Sequence, residues 1–176
     1  MSLGETITTL EQNHSGLLEK ADRLYDVFAN LRYEKKADLD KRMRAVREGL
    51  DFFEEKLVPH MELEEIIFSF LAMHVPKLES IIRLLQSEHK ELKMNLELVR
   101  FLFEELHEEK SEFKRLQALE KLKEKGTYFI YLMRIHIQVE DESIYKTADQ
   151  NLHTDEKKEL LKRIKESGEW KCLVSA

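Results

Sequence analysis

The amino-acid sequence predicts an all-α protein, an up-down-up-down antiparallel four-helix bundle with a short extra C-terminal helix. Apolar residues recur every three or four positions over long stretches, which is the period of an amphipathic helix. The 176 residues include only five Gly and two Pro, so turn signals between these stretches are few. Long helices joined by short connections pack as antiparallel neighbours, and this favours a bundle.

The first two predicted helices run from residue 5 to about residue 33 and from about residue 38 to 73. The charged residues 33–36 form the predicted turn between them, although they include neither Gly nor Pro. Pro59 lies inside the second helix, where it removes a backbone donor and predicts a kink beside His60.

The later helix boundaries follow from one stop signal and two candidate caps. Pro76 ends the second helix, and the third helix is expected to end near Glu109. Ser111 is the predicted N-cap of the fourth helix. Thr154 is the predicted N-cap of a short fifth helix, which is expected to end near Gly168.

The composition is that of one soluble helical domain. At 176 residues the chain is long enough for one substantial hydrophobic core and short for two. Charged residues make up 36% and hydrophobic residues 42%, which is typical of a charge-coated helical protein. Residues 1–153 are therefore expected to form the bundle, and residues 154–176 a short helix and tail packed on it.

Charge, cysteine content and hydropathy exclude several classes of partner. The net charge is −6 with basic and acidic residues interleaved, so nucleic acid is not expected as a partner. The single cysteine, Cys172, excludes an internal disulfide framework, and there is no secretory signal pattern or apolar run of bilayer length. The sequence predicts a cytoplasmic protein without membrane association, either a monomer or a weak homodimer.

A motif that occurs twice in the same order points to a functional site. A lone histidine precedes a His-x-x-x-Glu motif in each half of the chain, and the two gaps are 60 − 14 = 46 and 136 − 89 = 47 residues. At about 1.5 Å of rise per residue, the four histidines reach one level of an antiparallel bundle. The six residues are His14, His60 and Glu64 in the first copy and His89, His136 and Glu140 in the second.

These six side chains fall on the apolar stripes of their helices. Residues four apart lie on one helix face, so both members of each His-x-x-x-Glu pair point the same way. A buried carboxylate must be protonated, paired with a cation or bound to a metal. Imidazole and carboxylate without thiolate suit iron, manganese or zinc, and six groups from four helices fit two ions bridged by the carboxylates. A further bridge from solvent then leaves one position open for a small molecule.

A metal-free alternative stands beside this interpretation. Core histidines are more often packing residues than ligands, and the chain would then be a helical interaction module. His74, His107 and His153 lie at helix ends or among charged residues and are expected at the surface or in caps. Gly49 and Gly126, which precede the paired histidines by 11 and 10 residues, either permit close helix approach or are ordinary helix glycines.

Two segments resemble the signature of a known family. Residues 57–68 are similar to the His-x-x-x-Glu-Glu motif, followed by an aliphatic and an aromatic residue, of hemerythrin-like domains of the HHE type. Residues 136–145 look like its second copy, and the resemblance extends over about residues 8 to 150. It implies a non-haem centre of two iron ions with an oxo or hydroxo bridge, which binds dioxygen, peroxide, nitric oxide or a related small ligand. Such centres store oxygen, or sense oxygen, iron, redox state or nitric oxide.

The resemblance also implies a role for each residue of the repeated motif. It makes Glu64 and Glu140 bridging ligands and the four histidines of the motif terminal ligands. Many members carry a further histidine four residues after His89, where this chain has Lys93, and some place the carboxylate at the position of Asp141. With one imidazole fewer, the site favours sensing or irreversible oxidation over reversible oxygen carriage. A di-iron oxidase or peroxide-consuming enzyme is a further alternative, and no catalytic residue is assigned.

Overall fold

The protein is all-helical in the part of the chain that the structure, a computed structural model, describes: residues 2–32 and 36–170, without the side chains of residues 36 and 37. A single 3₁₀ turn, Pro76–Leu78, precedes the third helix, and a π-helical turn, Glu140–Tyr145, joins the fourth helix to the fifth. The helices are α1 (Leu3–Ala29), α2 (Lys36–His74), α3 (Glu79–Glu108), α4 (Glu112–Val139), α5 (Lys146–Asn151) and α6 (Thr154–Glu166).

Local capping sets the two ends of α1. The helix begins at Leu3 because Ser2 and Glu5 form a capping box, in which the Ser2 hydroxyl accepts a hydrogen bond from the backbone of Glu5 (3.2 Å). The predicted end near residue 33 was wrong. The backbone N–H and the side-chain amide of Asn30 both donate to the carbonyl of Asp26, so α1 ends at Ala29. Most of the predicted turn at residues 33–36 lies outside the described residues.

The other boundaries agree with the predictions in part. α2 continues as helix through Pro59, and it ends one residue before Val75, at the predicted stop. Ser111 occupies the N-cap position of α4, but its side chain makes no capping hydrogen bond. Thr154 was wrongly predicted as a cap. It is the first residue of α6, and the carboxylate of Glu156 accepts from the backbone N–H of His153 (2.7 Å).

The four long helices form a ring of neighbours. α1 packs against α2 and α4, and α3 packs against the same two helices. α6 lies against α2 and α1 and buries Leu160 and Ile164. The described helices include none with an apolar stretch that could cross a membrane.

The core consists of two hydrophobic clusters, and the repeated motif lies between them. On α1, Leu10 belongs to one cluster and Leu17 to the other, with His14 between them. On α3, Leu85 and Leu92 flank His89 in the same way. The chain therefore places a polar layer inside an apolar bundle, where the surrounding leucines exclude water.

Two glycines allow close approach of the helices in one of these clusters. A Cβ atom on Gly49 would lie 2.8 Å from Leu24, and one on Gly126 would lie 2.6 Å from the ring of Phe28. Both distances are shorter than a normal carbon–carbon contact. Of the two interpretations of these glycines, the structure therefore favours close approach, of α1 to α2 and to α4.

Candidate metal centre

All six side chains of the repeated motif meet in the polar layer, and each is at most 2% exposed. α1 supplies one histidine, α2 a histidine and a glutamate, and α3 one histidine. The last histidine lies on α4, and the second glutamate is the first residue of the π-helical turn. In chain order they are His14, His60, Glu64, His89, His136 and Glu140.

The first histidine pair lies against one oxygen of Glu64. The Nε2 atoms of His14 and His60 are 2.7 Å apart. Oε1 of Glu64 is 3.0 Å from Nε2 of His60 and 3.3 Å from Nε2 of His14. Three donor atoms of metal-binding type therefore converge on one point.

The second histidine pair lies against Glu140. Oε1 of Glu140 is 2.9 Å from Nε2 of His136 and 3.5 Å from Nε2 of His89. The other oxygen of Glu64, Oε2, lies 3.4 Å from Nε2 of His89. These four residues form a second group whose candidate ligand atoms all lie within 4.8 Å of one another.

Each carboxylate spans the two groups. Glu64 turns Oε1 towards the first histidine pair and Oε2 towards the second. Glu140 also faces both pairs. Its Oε2 lies 3.5 Å from Nε2 of His14 in the first pair, and its Oε1 faces the second pair. A carboxylate with one oxygen on each side is able to bridge two metal ions.

Six buried polar atoms of the polar layer have no hydrogen-bond partner among the described residues, and five of them are candidate ligand atoms. Two ligands at about 2.1 Å from one ion are roughly 3 Å apart when they meet at a right angle, and the donor distances of 2.7–3.5 Å match that spacing. Leaving such atoms unsatisfied would cost about 1–3 kcal/mol each, so the residues present fit metal ions. The five atoms are Oε2 of Glu64, Nε2 of His89, Nε2 of His136, and Oε1 and Oε2 of Glu140.

Three further carboxylates orient the imidazole rings from outside the centre. Nδ1 of His14 lies 2.8 Å from Asp141, Nδ1 of His89 lies 2.7 Å from Glu65, and Nδ1 of His136 lies 2.8 Å from Glu88. An Nδ1–H that donates to a carboxylate fixes the ring and leaves Nε2 as the ligand atom. Among the described residues, Nδ1 of the fourth ring, that of His60, has no partner.

The sequence did not identify Glu65 or Glu88 as part of the site. A signal was present, since Glu65 is the second glutamate of the His-x-x-x-Glu-Glu motif and Glu88 directly precedes His89. Glutamate is abundant on the surfaces of these helices, however, so a position next to a candidate ligand does not by itself identify a glutamate of the site.

Two residues that the sequence singled out lie outside the centre. Asp141, the alternative to Glu140, is 37% exposed and binds Nδ1 of His14 from outside. The structure therefore puts the oxygens of Glu140, not those of Asp141, among the converging donors. Lys93, which stands where many relatives have histidine, is 35% exposed and lies 3.4 Å from the carboxylate of Glu62.

The π-helical turn brings in one more side chain. In a π-helix the backbone hydrogen bonds connect residues five apart. The first and last residues of the turn Glu140–Tyr145 therefore both face the centre. Tyr145 is buried, and its hydroxyl donates a hydrogen bond to Oε1 of Glu64. The sequence did not predict this contact. In a regular helix Tyr145, five residues after Glu140, would point away from the centre.

The electrostatics of the metal-free centre favour charged imidazoles. Burial alone would lower the pKa of His14, but its contacts with Asp141 and Glu64 raise it to about 10. Burial alone would also lower the pKa of His89, but its carboxylate neighbours raise it to about 11. The pKa of His136 is also raised, against burial, by Glu140.

The acidic groups respond to the same contacts. Burial would raise the pKa of Glu64, yet the charge of His60 and hydrogen bonds from the imidazoles hold it well below its ordinary value. Burial and the neighbouring carboxylates of Glu64 and Glu140 raise the pKa of Tyr145 well above 10. Without metal, protonated imidazoles therefore balance the buried carboxylates, and Tyr145 keeps its proton.

The other histidines lie away from the centre. His74 is the last residue of α2. Its ring stacks on that of Phe70 with centroids 4.1 Å apart, and its Nδ1 lies 2.9 Å from the carbonyl oxygen of Phe70. His107 and His153 are exposed. The expectation of helix-end and surface roles for these three residues agrees with their positions.

The chain matches the sequence model of a known family. The sequence model of the family described as "Hemerythrin HHE cation binding domain" matches residues 5–148, which include all six residues of the polar layer. No curated protein matches the chain significantly.

Proposed function

The chain belongs to the family of hemerythrin HHE cation-binding domains, and from this premise we propose that it is a non-haem di-iron protein. It binds dioxygen or a related small ligand at an open iron position and acts in sensing or handling oxygen, iron or redox state. The observation that carries the proposal is the group of five buried candidate ligand atoms, on four residues of the polar layer, that have no hydrogen-bond partner among the described residues.

Each residue of the polar layer has a role in this proposal. His14 and His60 would hold one iron, His89 and His136 would hold the other, and the two glutamates would bridge them. Support comes from Glu64, which places one oxygen 3.0 Å from the first pair and the other 3.4 Å from the second. The protein would supply four donors to each iron, and positions would remain for solvent and for a small ligand.

The iron pair, when bound, supplies a coordination position for the small ligand and the capacity to exchange electrons with it. The protein holds the imidazoles in place through the carboxylates on Nδ1 and excludes bulk water through the two hydrophobic clusters. The hydroxyl of Tyr145 keeps its proton and is a buried donor to Glu64.

Sensing or handling is favoured over oxygen carriage by the position of Lys93. It supplies no imidazole, and its ammonium group pairs with Glu62 at the surface. We also propose the up-down-up-down order of the bundle, since each long helix packs against the helices before and after it in a ring.

Anaerobic titration of the metal-free chain with ferrous iron tests the proposal. We expect about two irons per chain, a rise in melting temperature with iron, and new absorption from bridged iron after exposure to dioxygen. The His107→Gln variant is a matched control, because His107 is exposed and away from the centre. A chain that binds no iron and melts at the same temperature with and without it is the metal-free interaction module. Repeated turnover of peroxide by the iron-loaded chain would instead identify the peroxide-consuming enzyme.

A further inference from the structure

A cleft of about 440 Å³ lies at one end of the bundle, between the start of α2, the end of α3 and the start of α4. It is far from the metal centre: Arg47 in its wall lies 60 − 47 = 13 residues before His60 on α2, which is about 20 Å along the helix. Charges at that distance are largely screened from one another. The cleft is therefore a separate feature.

The floor of the cleft is apolar. Leu39, Phe103 and Leu106 line it and are almost fully buried, and the half-buried Met43 lies beside them. A volume of this size, with apolar walls and a few polar groups, is typical of a site for a small organic molecule.

The wall of the cleft is basic. Arg44, Arg47 and Arg115 line it together with a single carboxylate, that of Asp40, although the chain as a whole has a net charge of −6. Within residues 2–32 and 36–170, no carboxylate lies at ion-pair distance from any of the three arginines. A local excess of unpaired positive charge attracts an anion.

Two of the arginines are held at the apolar floor. The guanidinium of Arg47 lies over the ring of Phe103, 5.3 Å from its centroid, which fixes it above the floor. Nε of Arg115 is buried and has no hydrogen-bond partner among the described residues. A buried, unpartnered donor on a charged group is unfavourable unless a ligand or solvent satisfies it.

We propose that this cleft binds a small carboxylate with an apolar body. The guanidinium groups of Arg115 and Arg47 donate to the carboxylate, which a planar guanidinium can bind through two parallel hydrogen bonds. The apolar body covers Phe103, Leu106 and Met43. An inorganic anion would leave the floor exposed, and a neutral apolar molecule would leave the arginines without a partner, so the two halves of the cleft together select this class of ligand.

Calorimetric titration of the 176-residue chain with octanoate tests this site. We expect saturable binding at one octanoate per chain, with an affinity lowered about tenfold or more in Arg115→Gln and in Arg47→Gln. Arg83→Gln is the matched control, because its side chain is 75% exposed on α3 and pairs with Glu79 outside the cleft. Octanol lacks the negative charge of octanoate, and acetate lacks its apolar body. Both should therefore bind at least about tenfold more weakly than octanoate.

Four results would overturn the proposal: no saturable binding of octanoate, octanol binding as tightly as octanoate, acetate binding as tightly as octanoate, or unchanged octanoate affinity in the folded Arg47→Gln variant. Arg47 is exposed, so this variant keeps the test valid even if Arg115→Gln fails to fold. Circular dichroism spectra of each variant establish that it is folded.

Discussion

The hydroxyl of Tyr145 donates a hydrogen bond to Oε1 of Glu64, across the bundle from the π-helical turn to α2. The ring of Tyr145 also lies beside His14 on α1, with ring centroids 5.6 Å apart. A single side chain after α4 therefore contacts a residue of the polar layer on each of two other helices. This contact restrains the carboxylate that faces both histidine pairs.

The Tyr145→Phe substitution should destabilise the metal-free protein by about 1–3 kcal/mol, because it removes one of the buried donors to Oε1 of Glu64. In the metal-loaded protein the loss should be smaller, since that oxygen then has a metal partner. Tyr128→Phe is the control. Its hydroxyl also donates to a glutamate, Glu91 (2.6 Å), but at the surface, where the loss should be within about 0.5 kcal/mol.

Urea unfolding of both variants, with and without metal, measures these differences. Equal losses in Tyr145→Phe and Tyr128→Phe would mean that the contact between Tyr145 and Glu64 has no special part in the centre.

Glu140 and Asp141 are adjacent but should differ in their effect on metal binding. Glu140→Gln removes a charged donor that faces both histidine pairs, so it should bind fewer than two metal ions per chain at saturation. Asp141→Asn weakens the contact with Nδ1 of His14 and should still bind two ions, with affinity lowered about 10–100-fold. Glu142→Gln, at an exposed position of the same turn, should bind two ions with unchanged affinity.

Metal content after dialysis against a range of free metal concentrations separates these cases. If Asp141→Asn lost an ion and Glu140→Gln kept both, the bridging role would belong to Asp141 and the present assignment would be wrong.

Metal binding should release protons and strengthen as pH rises. In the metal-free protein the pKa of His14 is about 10 and that of His89 about 11, so both are protonated at pH 8, whereas a metal ligand must be neutral. Zinc serves as a probe without redox chemistry. Its addition to weakly buffered protein at pH 8 should release about two protons per chain, and pH measurement during the titration counts them.

The metal-free protein should show the opposite trend in stability. Because the pKa values of His14 and His89 are raised on folding, their contribution to stability is complete below the ordinary histidine value near 6.5. It is lost as pH rises through 10 to 11. Melting temperatures of the metal-free chain should therefore fall between pH 7 and pH 10. Metal uptake without proton release, or a flat melting profile over this range, would contradict the charged state of the imidazoles.

Gly126→Ala should destabilise the protein by about 1 kcal/mol or more. The new Cβ would lie 2.6 Å from the buried ring of Phe28, and such overpacking outweighs the better helix propensity of alanine. Gly16→Ala is the matched control, because nothing lies within 4 Å of a Cβ on this exposed helical residue. It should be more stable than the parent by about 0.5–1 kcal/mol. Denaturant unfolding compares the two, and equal stabilisation by both substitutions would show that α4 does not need the glycine.

The helices and the six residues of the polar layer could be predicted because both depend on local periodicity. His60 and Glu64 share a face through the fixed geometry of one helix, and the apolar neighbours of His14 and His89 mark their burial. Helix ends were less predictable. The end of α1 depends on the contacts of Asn30, which no periodic pattern records.

The outer part of the site could not be predicted for a different reason. The contacts of Glu65 with His89 and of Glu88 with His136 depend on how helices are rotated against one another. The role of Tyr145 depends on a π-helical turn, which shifts the face of every residue after Glu140 relative to a regular helix. Spacing rules for a regular helix fail at such a turn, and here the turn lies beside the site.

Anomalous diffraction from iron-loaded crystals, recorded at the iron absorption edge, would locate the metal ions. We expect two iron peaks per chain inside the polar layer, one against His14 and His60 and the other against His89 and His136. Glu64 and Glu140 should lie between the peaks. A single peak, peaks elsewhere on the chain, or a polar layer without iron in crystals grown with excess iron would contradict this expectation.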